Sequence, residues 1–233
     1  VDFLEAMNVP VHKIASFEIV DIPLIEKMTR TGKPLIISTG MATVEEIGDA
    51  VATARRGGVS QLALLKCTSA YPAPPESMNL NCIPHLSEMF QVPVGLSDHT
   101  MGATIPVAAV ALGACIIEKH FTLSRTIPGP DAPFSLEPHE FRQLTEAVRA
   151  AEKALGTVCY GPTEEEKKSL VFRRSLFVVQ DIRAGAIFTS DNIRSIRPGY
   201  GLAPKFLRDI RGRLAARDLA SGTPLAWEHI APE

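Results

Sequence analysis

Short apolar runs recur along the first half of the chain, and each ends in small hydroxyl residues or in a histidine. In order, the runs are HKIA before Ser16, PLII before Ser38, LALLKC before Thr68-Ser69, VPVGL before Ser97-Asp98-His99, and ACII before Glu118-Lys119-His120. The steps from Ser16 to Ser38, Ser69 and Ser97 are 22, 31 and 28 residues. This spacing is typical of successive strand-plus-helix units.

Helix signals stand between and after these runs. Residues 43–46 read TVEE, a capping box that predicts a helix ending near Gly57. Residues 135–138 open a second helix with one apolar face, closed by Gly156. Residues 105–112, between the two histidine runs, are almost wholly apolar, which indicates a buried crossover helix.

The pattern predicts an α/β fold made of the C-terminal five strand–helix units of a (β/α)8 TIM barrel. An open doubly wound sheet is the alternative. The chain contains no GxGxxG and no GxxxxGK[ST] motif, which weakens any reading as a nucleotide-binding fold. We expect a partial barrel domain over residues 1–160, a charged linker over 161–172 and a small β-rich domain over 173–233.

The small C-terminal domain carries an internal repeat. Residues 181–193 match residues 218–230, with glycine four positions and isoleucine twelve positions after the leading aspartate in both copies. The repeat predicts a pseudo-symmetric β domain. Residues 163–233 hold 12 Lys and Arg against 9 Asp and Glu, a charge of +3 that leaves −5 for the rest of the chain. A basic module of this kind suits an anionic substrate.

Composition and net charge bear on the partners and the location of the protein. The 233 residues are 45% hydrophobic and carry a net charge of −2, so neither nucleic acid nor a membrane is expected as a partner. The four cysteines show no CxxC spacing, which favours reduced thiols and a cytoplasmic location. The chain opens in VDFL, which reads like the inside of a helix, and we expect it to be part of something longer.

His99 and His120 are the leading candidates for chemistry. If their runs are neighbouring parallel strands, both imidazoles emerge at the carboxyl edge of the sheet, where barrel enzymes place their sites. Neutral imidazole binds borderline divalent metals, so we expect an open metal site completed by water and substrate. Asp98 and Glu118 either orient the imidazoles or are solvated.

The hydroxyl residues at the strand ends form a second candidate group. Four serines at corresponding positions, with Lys13 as the countercharge, predict a site for a phosphate or carboxylate: Ser16, Ser38, Ser69 and Ser97. Glu18 would be an acid or base at the rim. Tyr71 precedes a proline-rich loop and either lines the pocket or covers apolar surface.

Five ordered motifs resemble one family. KIASFEIVDIPLI, IISTGMAT, LLKCTSAYPAPPESMNL, VGLSDHTMG and EKHFTLSRTIPGPDAPFSLEPHEF are similar to the sialic acid synthase family, which condenses phosphoenolpyruvate with amino sugars to make nonulosonates. The tail, with RPGYGL from Arg197, resembles the antifreeze-like (SAF) domain of that family. SFE at 16–18 and CTSAYPAP at 67–74 look most like pseudaminic acid synthases, since sialic and legionaminic acid synthases more usually have glycine at Phe17.

The resemblance implies a role for each matching position. His99 and His120 match the two histidines that hold a divalent metal, usually manganese, with magnesium or cobalt as alternatives. Glu18 matches a catalytic-site glutamate, and Tyr71 a pocket tyrosine. Positions near the phosphoenolpyruvate phosphate and carboxylate are Lys13, Ser16, Ser38, Ser69 and Ser97, although sialic acid synthases often have asparagine at Ser69. Arg197 matches an arginine that one subunit of a domain-swapped homodimer places in the barrel of its partner.

The implied reaction joins phosphoenolpyruvate to an open-chain 2,4-diacetamido-2,4,6-trideoxyhexose of the altrose type, giving pseudaminic acid and phosphate. The legionaminic or sialic acid precursor is the alternative substrate. Family members carry about three further strand–helix units before the point where this chain begins. We therefore expect the 233-residue segment alone to be inactive.

Two other classes of protein stay open on the residues themselves. One is a metal-dependent hydrolase on the same barrel, which would normally use further histidine or carboxylate ligands. The other is a non-catalytic sugar-binding protein whose repeat-bearing tail is the binding part. The ordered lysine, glutamate and histidine motifs argue against the second class.

Overall fold

A computed structural model describes residues 1–232 and divides the chain into two compact units, Val1–Thr157 and a second unit that begins at Val158. In the first unit the helices are α1 (Asp2–Ala6), α2 (Ile22–Thr29), α3 (Val44–Arg56), α4 (Cys82–Phe90), α5 (Thr104–Ala111) and α6 (Pro138–Leu155). The strands are β1 (His12–Ile14), β2 (Leu35–Ser38), β3 (Leu62–Cys67), β4 (Val94–Asp98) and β5 (Ile117–Lys119). Short 3₁₀ turns cover Ser16–Glu18, Pro75–Ser77 and Ala132–Phe134.

The five strands of the first unit form one parallel sheet in the order β1-β2-β3-β4-β5. Each predicted apolar run supplies one strand, and each strand is followed by a helix that returns the chain to the other end of the sheet. A doubly wound sheet would reverse its strand order partway, and this sheet does not. The predicted five strand–helix units of a barrel are therefore confirmed.

The helices begin and end where the sequence signals predicted. The Thr43 side chain accepts a hydrogen bond from the Glu46 N–H while the Glu46 carboxylate accepts one from the Thr43 N–H, and α3 ends at Gly57. The longest helix, α6, has Pro138 at its first position and Gly156 after its last, with φ +50°. The apolar faces of α2, α3 and α4 pack on the sheet around Ile14, Ile37, Leu64 and Leu96, which are fully buried.

The register of β4 and β5 decides where the histidines lie. Ser97 pairs with Glu118 and Asp98 with Lys119, an offset of 21 residues that His99 and His120 continue one position beyond the ladder. Because side chains alternate between the two faces of a strand, Ser97 and His99 share one face while Asp98 lies on the other. The pairs Ser97–Glu118 and His99–His120 therefore lie on one face of the two strands, and the pair Asp98–Lys119 lies on the other.

The second unit has its own small core. It contains the antiparallel pair β6 (Ser175–Val178) and β7 (Ile193–Ile196), the short helices α7 (Glu164–Lys167) and α8 (Leu207–Ile210), and 3₁₀ turns at Leu170–Phe172, Pro204–Phe206 and Trp227–His229. Buried Leu176, Val178, Phe188 and Leu225 form the centre of its core.

The two copies of the internal repeat are related by an approximate twofold symmetry within this unit. The Asp181 carboxylate accepts a hydrogen bond from the Ser221 N–H, and the Asp218 carboxylate accepts one from the Ala184 N–H, both at 2.7 Å. Ile182 and Leu219, which follow the two aspartates, exchange both backbone hydrogen bonds. Each copy thus caps the turn of the other, as the repeat predicted.

Two expectations from composition can be compared with the described part of the chain. All four cysteines, Cys67, Cys82, Cys115 and Cys159, are free thiols. Over residues 1–232, no helix combines the length and the apolar character that a membrane span requires.

Candidate active site

A cavity of about 330 Å³ opens at the carboxyl ends of the strands in the first unit. It is lined by Lys13, Ser97, His99, Glu118, Lys119 and His120. The strand-end position follows from the topology, since parallel strands bring their carboxyl ends to one edge of a sheet. The cavity therefore joins residues from β1, β4 and β5, three of the predicted runs.

The two histidines face each other across this cavity. Their ring centroids are 5.2 Å apart and the ring planes are inclined by 57°. His99 is buried, and its Nδ1 lies 2.9 Å from the carbonyl oxygen of Thr68. Because a carbonyl only accepts, Nδ1 carries the proton and donates it in this hydrogen bond, which leaves Nε2 with a free lone pair. The prediction that both imidazoles meet at one sheet edge is correct.

Cys67 is the closest thiol to this pair. Its Sγ lies 3.9 Å from His99 Nδ1 and 3.8 Å from the Ser69 hydroxyl. Burial raises the pKa of Cys67, but the hydrogen bonds with His99, Ser16 and Ser69 and the charge of His99 together outweigh burial and lower the pKa to about 7. Burial likewise acts to lower the pKa of His99, and the contacts with Cys67 and the Thr68 carbonyl outweigh it, so that this pKa lies above its usual value.

An aromatic wall stands beside His120. The Tyr71 ring centroid is 4.3 Å from that of His99 and 5.9 Å from that of His120, and Phe134 lies 5.1 Å from His120 and 5.3 Å from Tyr71. His120 Nδ1 also lies 3.4 Å from a carboxylate oxygen of Asp131. Of the two readings of Tyr71, lining the pocket is the one this geometry supports. Burial is the main cause that raises the pKa of its hydroxyl.

The residues at the cavity supply part of the ligand set that a divalent metal requires. An imidazole that donates one ring N–H to a carbonyl and keeps the other nitrogen free is the usual arrangement of a metal-ligating histidine. His99 meets this description, and His120 has a carboxylate beside Nδ1 that can take the same role. Within residues 1–232 no group of three or more histidine, cysteine, aspartate and glutamate side chains is arranged around a metal position. The chain therefore offers a two-histidine site whose other ligands would be water or substrate.

Lys13 is the cation of the cavity. Its Nζ donates a hydrogen bond to the Ser38 hydroxyl at 2.7 Å and lies 3.6 Å from Oε1 of Glu118, which also accepts a hydrogen bond from Ser97 at 2.7 Å. The Lys13 side chain keeps about a third of its surface exposed, so its charge is available to an anion. Three of the predicted anion-binding residues, Lys13, Ser38 and Ser97, therefore lie in one network.

The other two predicted serines meet at a glycine. The Ser16 hydroxyl accepts a hydrogen bond from the Gly40 N–H at 3.2 Å. A Cβ atom at Gly40 would lie 2.5 Å from the Ser69 hydroxyl oxygen, 2.7 Å from that of Ser16 and 3.1 Å from the sulfur of Cys67, so no side chain fits there. Gly40 thus lets three strand ends converge on one small polar cradle.

Glu18 is not among the residues that line the cavity. Glu18 is exposed, and its carboxylate accepts a hydrogen bond from the Ala15 N–H at 2.8 Å, which caps its own 3₁₀ turn. Arg197 belongs to the second unit, where it is exposed and follows β7 directly. The predicted roles of these two residues stay predictions.

Neither Asp98 nor Glu118 hydrogen-bonds directly to an imidazole, and Asp98 is buried rather than solvated. Asp98 is fully buried and binds Lys119 and the Thr100 N–H, while Glu118 binds Ser97 and faces Lys13. The groups that contact the imidazoles are a backbone carbonyl, a thiol and Asp131. A backbone carbonyl has no sequence signal, which is why Thr68 could not be foreseen.

Other residues of the site were not predicted in the place where the structure puts them. Glu118 lines the cavity, and the signal for this was its position two residues before His120, on the same face of a strand. Gly40 follows the run that ends in Ser38-Thr39, where a glycine often marks a close backbone approach. Phe134 comes from a loop, and nothing in its spacing pointed to the histidines.

Residues 1–160 match the NeuB family and residues 173–231 match the SAF domain. The chain is 45% identical to a pseudaminic acid synthase of Helicobacter pylori over 231 residues, which is 98% of the chain and 68% of that protein. It is 40% identical to an N,N'-diacetyllegionaminic acid synthase of Legionella pneumophila over 236 residues, covering 99% of the chain and 66% of that protein.

A solved structure agrees with these relatives. The crystal structure of the spore coat polysaccharide biosynthesis protein SpsE of Bacillus subtilis matches with a TM-score of 0.63 and 36% identity, over 100% of the chain and 70% of that protein. The chain spans about two thirds of the length of the relatives that it matches. Because the family match covers most of the chain and the identity extends over nearly all of it, the chain belongs to the NeuB family and carries a SAF domain at its C-terminal end.

Proposed function

We propose that this chain is part of a synthase that condenses phosphoenolpyruvate with an open-chain 2,4-diacetamido-2,4,6-trideoxyhexose of the altrose type, giving pseudaminic acid and phosphate. The observation that carries the proposal is the cavity in which a lysine–serine network and two facing imidazoles share one sheet edge. An anion and an aldehyde can be held side by side there. The 45% identity to a pseudaminic acid synthase supports the choice of sugar.

The chain's own residues account for binding of phosphoenolpyruvate. Lys13 supplies a positive charge and Ser38 a hydroxyl at its side. Ser16, Ser69 and Ser97 add hydroxyl groups at neighbouring strand ends, and Ser16 and Ser69 converge where Gly40 has no side chain. In this proposal these groups hold the phosphate and carboxylate and fix the direction in which C3 of phosphoenolpyruvate points.

In this proposal the two imidazoles serve to activate the electrophile, which is the aldehyde of the sugar. His99 and His120 would hold a divalent metal, which we propose to be manganese, with magnesium or cobalt able to replace it. When bound, the metal supplies Lewis-acid polarisation of the sugar aldehyde. Tyr71 and Phe134 stand beside this position with their rings against the two imidazoles.

The proposed reaction balances without a further reactant. A carbon–carbon bond forms between C3 of phosphoenolpyruvate and C1 of the sugar, and the aldehyde oxygen takes up a proton. A water molecule then adds to C2 and loses one proton, which gives a C2 hydroxyl group. The bond from C2 to the phosphate oxygen breaks while the hydroxyl proton passes to the phosphate, so that phosphate leaves and a keto acid remains. Orientation and electrostatic stabilisation supply most of the acceleration in a reaction of this kind.

Two carboxylates are candidates for the base that removes the proton from water. Glu18 keeps its proposed acid–base role, for which its carboxylate would have to leave the Ala15 N–H. Glu118 already lines the cavity with nearly half of its side chain exposed, which makes it the second candidate. Replacing each by glutamine and measuring kcat separates the two.

The second unit would complete the site from another subunit. We propose a homodimer in which Arg197 of one chain reaches the cavity of the other, where it would meet an anionic or hydroxyl-rich substrate. The excess positive charge of residues 163–233 suits this role. An R197A variant should then raise KM for the sugar and leave the folded fraction unchanged.

Phosphate release tests the proposal directly. The assay uses the protein extended at its N-terminus to the length of its relatives, with Mn²⁺ and phosphoenolpyruvate. Three sugars are compared: N-acetylmannosamine, 2,4-diacetamido-2,4,6-trideoxymannose and 2,4-diacetamido-2,4,6-trideoxyaltrose. We expect release only with the altrose sugar, and loss of release with a chelator or in H99A. His139, an exposed histidine of α6, provides the matched control H139A.

Each other outcome has a defined meaning. Release with the mannose-type diacetamido sugar would move the specificity to legionaminic acid, and release with N-acetylmannosamine would move it to sialic acid. Absence of release with all three sugars would refute the condensation and return the hydrolase and the sugar-binding protein to consideration. Full activity after exhaustive chelation would refute the metal.

A further inference from the structure

Asp98 and Lys119 form a buried ion pair immediately next to the two histidines. Lys119 Nζ lies 2.6 Å from Oδ2 of Asp98. The Lys119 side chain is 1% exposed and that of Asp98 is 0% exposed. The two residues are cross-strand partners in the parallel register of β4 and β5. Their side chains lie on the opposite face of the strands from those of His99 and His120. Although Lys119 is one of the residues that line the cavity, its ammonium group is buried against Asp98.

The pair also holds the chain on both sides of His99. The second carboxylate oxygen of Asp98 accepts a hydrogen bond from the Thr100 N–H at 2.9 Å, and Lys119 Nζ donates to the Thr100 carbonyl. Asp98 and Thr100 are the two sequence neighbours of His99. Lys119 is the residue directly before His120. One ion pair therefore fixes the backbone next to both imidazoles.

Stability alone does not explain a buried ion pair. Removing two charges from water costs free energy, and a neutral pair of similar volume is often as stable or more stable. A buried pair does impose one arrangement on its surroundings, because each charge must keep its partners. Here the pair fixes the position of β4 relative to β5 at the carboxyl ends of the two strands, where the chain continues into His99 and His120.

We propose that Asp98 and Lys119 are positioning residues that fix the separation of His99 and His120 and so set the affinity of the two imidazoles for a divalent metal. The inference rests on the proposed function in one respect, namely that these histidines bind a metal. It adds that the affinity depends on two residues whose charged groups bind each other and not the metal.

The test is a titration with Co²⁺, whose visible absorption reports the number and geometry of its ligands. The wild-type chain is compared with K119M, with the neutral pair D98N/K119M and with the double variant H99A/H120A, which gives the background from other sites. Thermal unfolding of each metal-free protein is measured in parallel, and titrations are run well below the unfolding temperature. The control is K33M, which breaks the Lys33–Glu5 ion pair before the amino end of β2.

We expect K119M to bind Co²⁺ about tenfold to a hundredfold more weakly than the wild type, the range found when groups behind metal ligands are removed. K119M leaves Asp98 buried without its partner, so it should also unfold at a lower temperature. D98N/K119M should recover part of that stability and little of the affinity. K33M should lose stability and keep its Co²⁺ affinity and spectrum.

Three results would overturn the inference. If D98N/K119M, or a folded K119M, binds Co²⁺ with wild-type affinity and spectrum, the pair is only structural. If K33M loses affinity to the same extent as K119M, the effect is general destabilisation. If the wild-type chain binds Co²⁺ no better than H99A/H120A, the metal site itself fails, and that result is distinguishable because no variant then differs from the wild type.

Discussion

Lys13 Nζ and Glu118 Oε1 lie 3.6 Å apart, although β1 and β5 stand at opposite ends of the five-stranded sheet. A flat sheet would separate these strands by four interstrand spacings of about 4.8 Å each. The sheet must therefore curl until its edge strands face each other. That curvature is what converts a row of strand ends into a cavity with a cation on one side and imidazoles on the other.

The Lys13 position gives the first prediction. K13M should raise KM for phosphoenolpyruvate roughly tenfold to a hundredfold, because a charge-assisted hydrogen bond contributes about 1.5–3 kcal/mol. The measurement is phosphate release by the N-terminally extended protein at varied phosphoenolpyruvate, with the sugar saturating. The matched control is K27M, which removes an exposed lysine paired with Asp2. An unchanged KM in K13M would mean that the anion binds elsewhere.

The second prediction concerns the chain by itself. Within the described residues, β1 and β5 are edge strands of the sheet, and exposed parallel edges leave backbone groups without partners. We expect the 233-residue chain alone to give no steady phosphate release with any of the three sugars, while the version extended to the length of its relatives does. Turnover by the isolated chain at the rate of the extended protein would contradict this expectation.

The ion pair between Arg125 and Glu140 predicts a pH dependence of stability. Arg125 donates to both carboxylate oxygens of Glu140, and this pairing lowers the pKa of Glu140 to about 2. A depressed pKa means that the contribution is present above the usual value near 4.5 and is lost as the pH falls towards 2. The side chains remain about a quarter to a third exposed, so the contribution is limited to about 1 kcal/mol.

The variant E140Q should therefore be less stable than the wild type at pH 6, and the difference should shrink as the pH falls from 4.5 and disappear below about 2. The measurement is the thermal unfolding midpoint of the first unit as a function of pH. E146Q, which changes an exposed glutamate of the same helix, is the control. A difference between E140Q and the wild type that persists unchanged down to pH 2 would show that the charge of Glu140 is not its source.

The pseudo-twofold caps of the second unit give the last prediction. D181A and D218A each remove one carboxylate acceptor from a backbone N–H and should each lower the unfolding free energy of this unit by about 1 kcal/mol. The two losses should be similar because the two contacts are equivalent. D191A, at an exposed aspartate outside these contacts, should have a smaller effect. A large loss in only one of D181A and D218A would refute functional equivalence of the two caps.

Much of the fold was determined by local sequence features. The apolar runs from His12 to Ile117 became strands because β-branched and leucine side chains bounded by turn residues favour buried parallel strands. The capping box at Thr43 and the Pro138–Gly156 pair fixed two helices to within a residue or two, since caps act on the backbone groups beside them. The repeat at Asp181 and Asp218 foretold a symmetry that the hydrogen bonds display.

The candidate site was likewise determined in part by the sequence and in part by the tertiary structure. Sequence alone determined that His99, His120, Lys13 and the strand-end serines would share one edge, because strand polarity and alternation set the edge and the face of each side chain. Tertiary structure alone decided the approach of Lys13 to Glu118, the convergence of Ser16 and Ser69 on Gly40, and the carbonyl of Thr68 as the partner of His99. These contacts depend on the curvature of the sheet and on the path of loops, which no local pattern encodes.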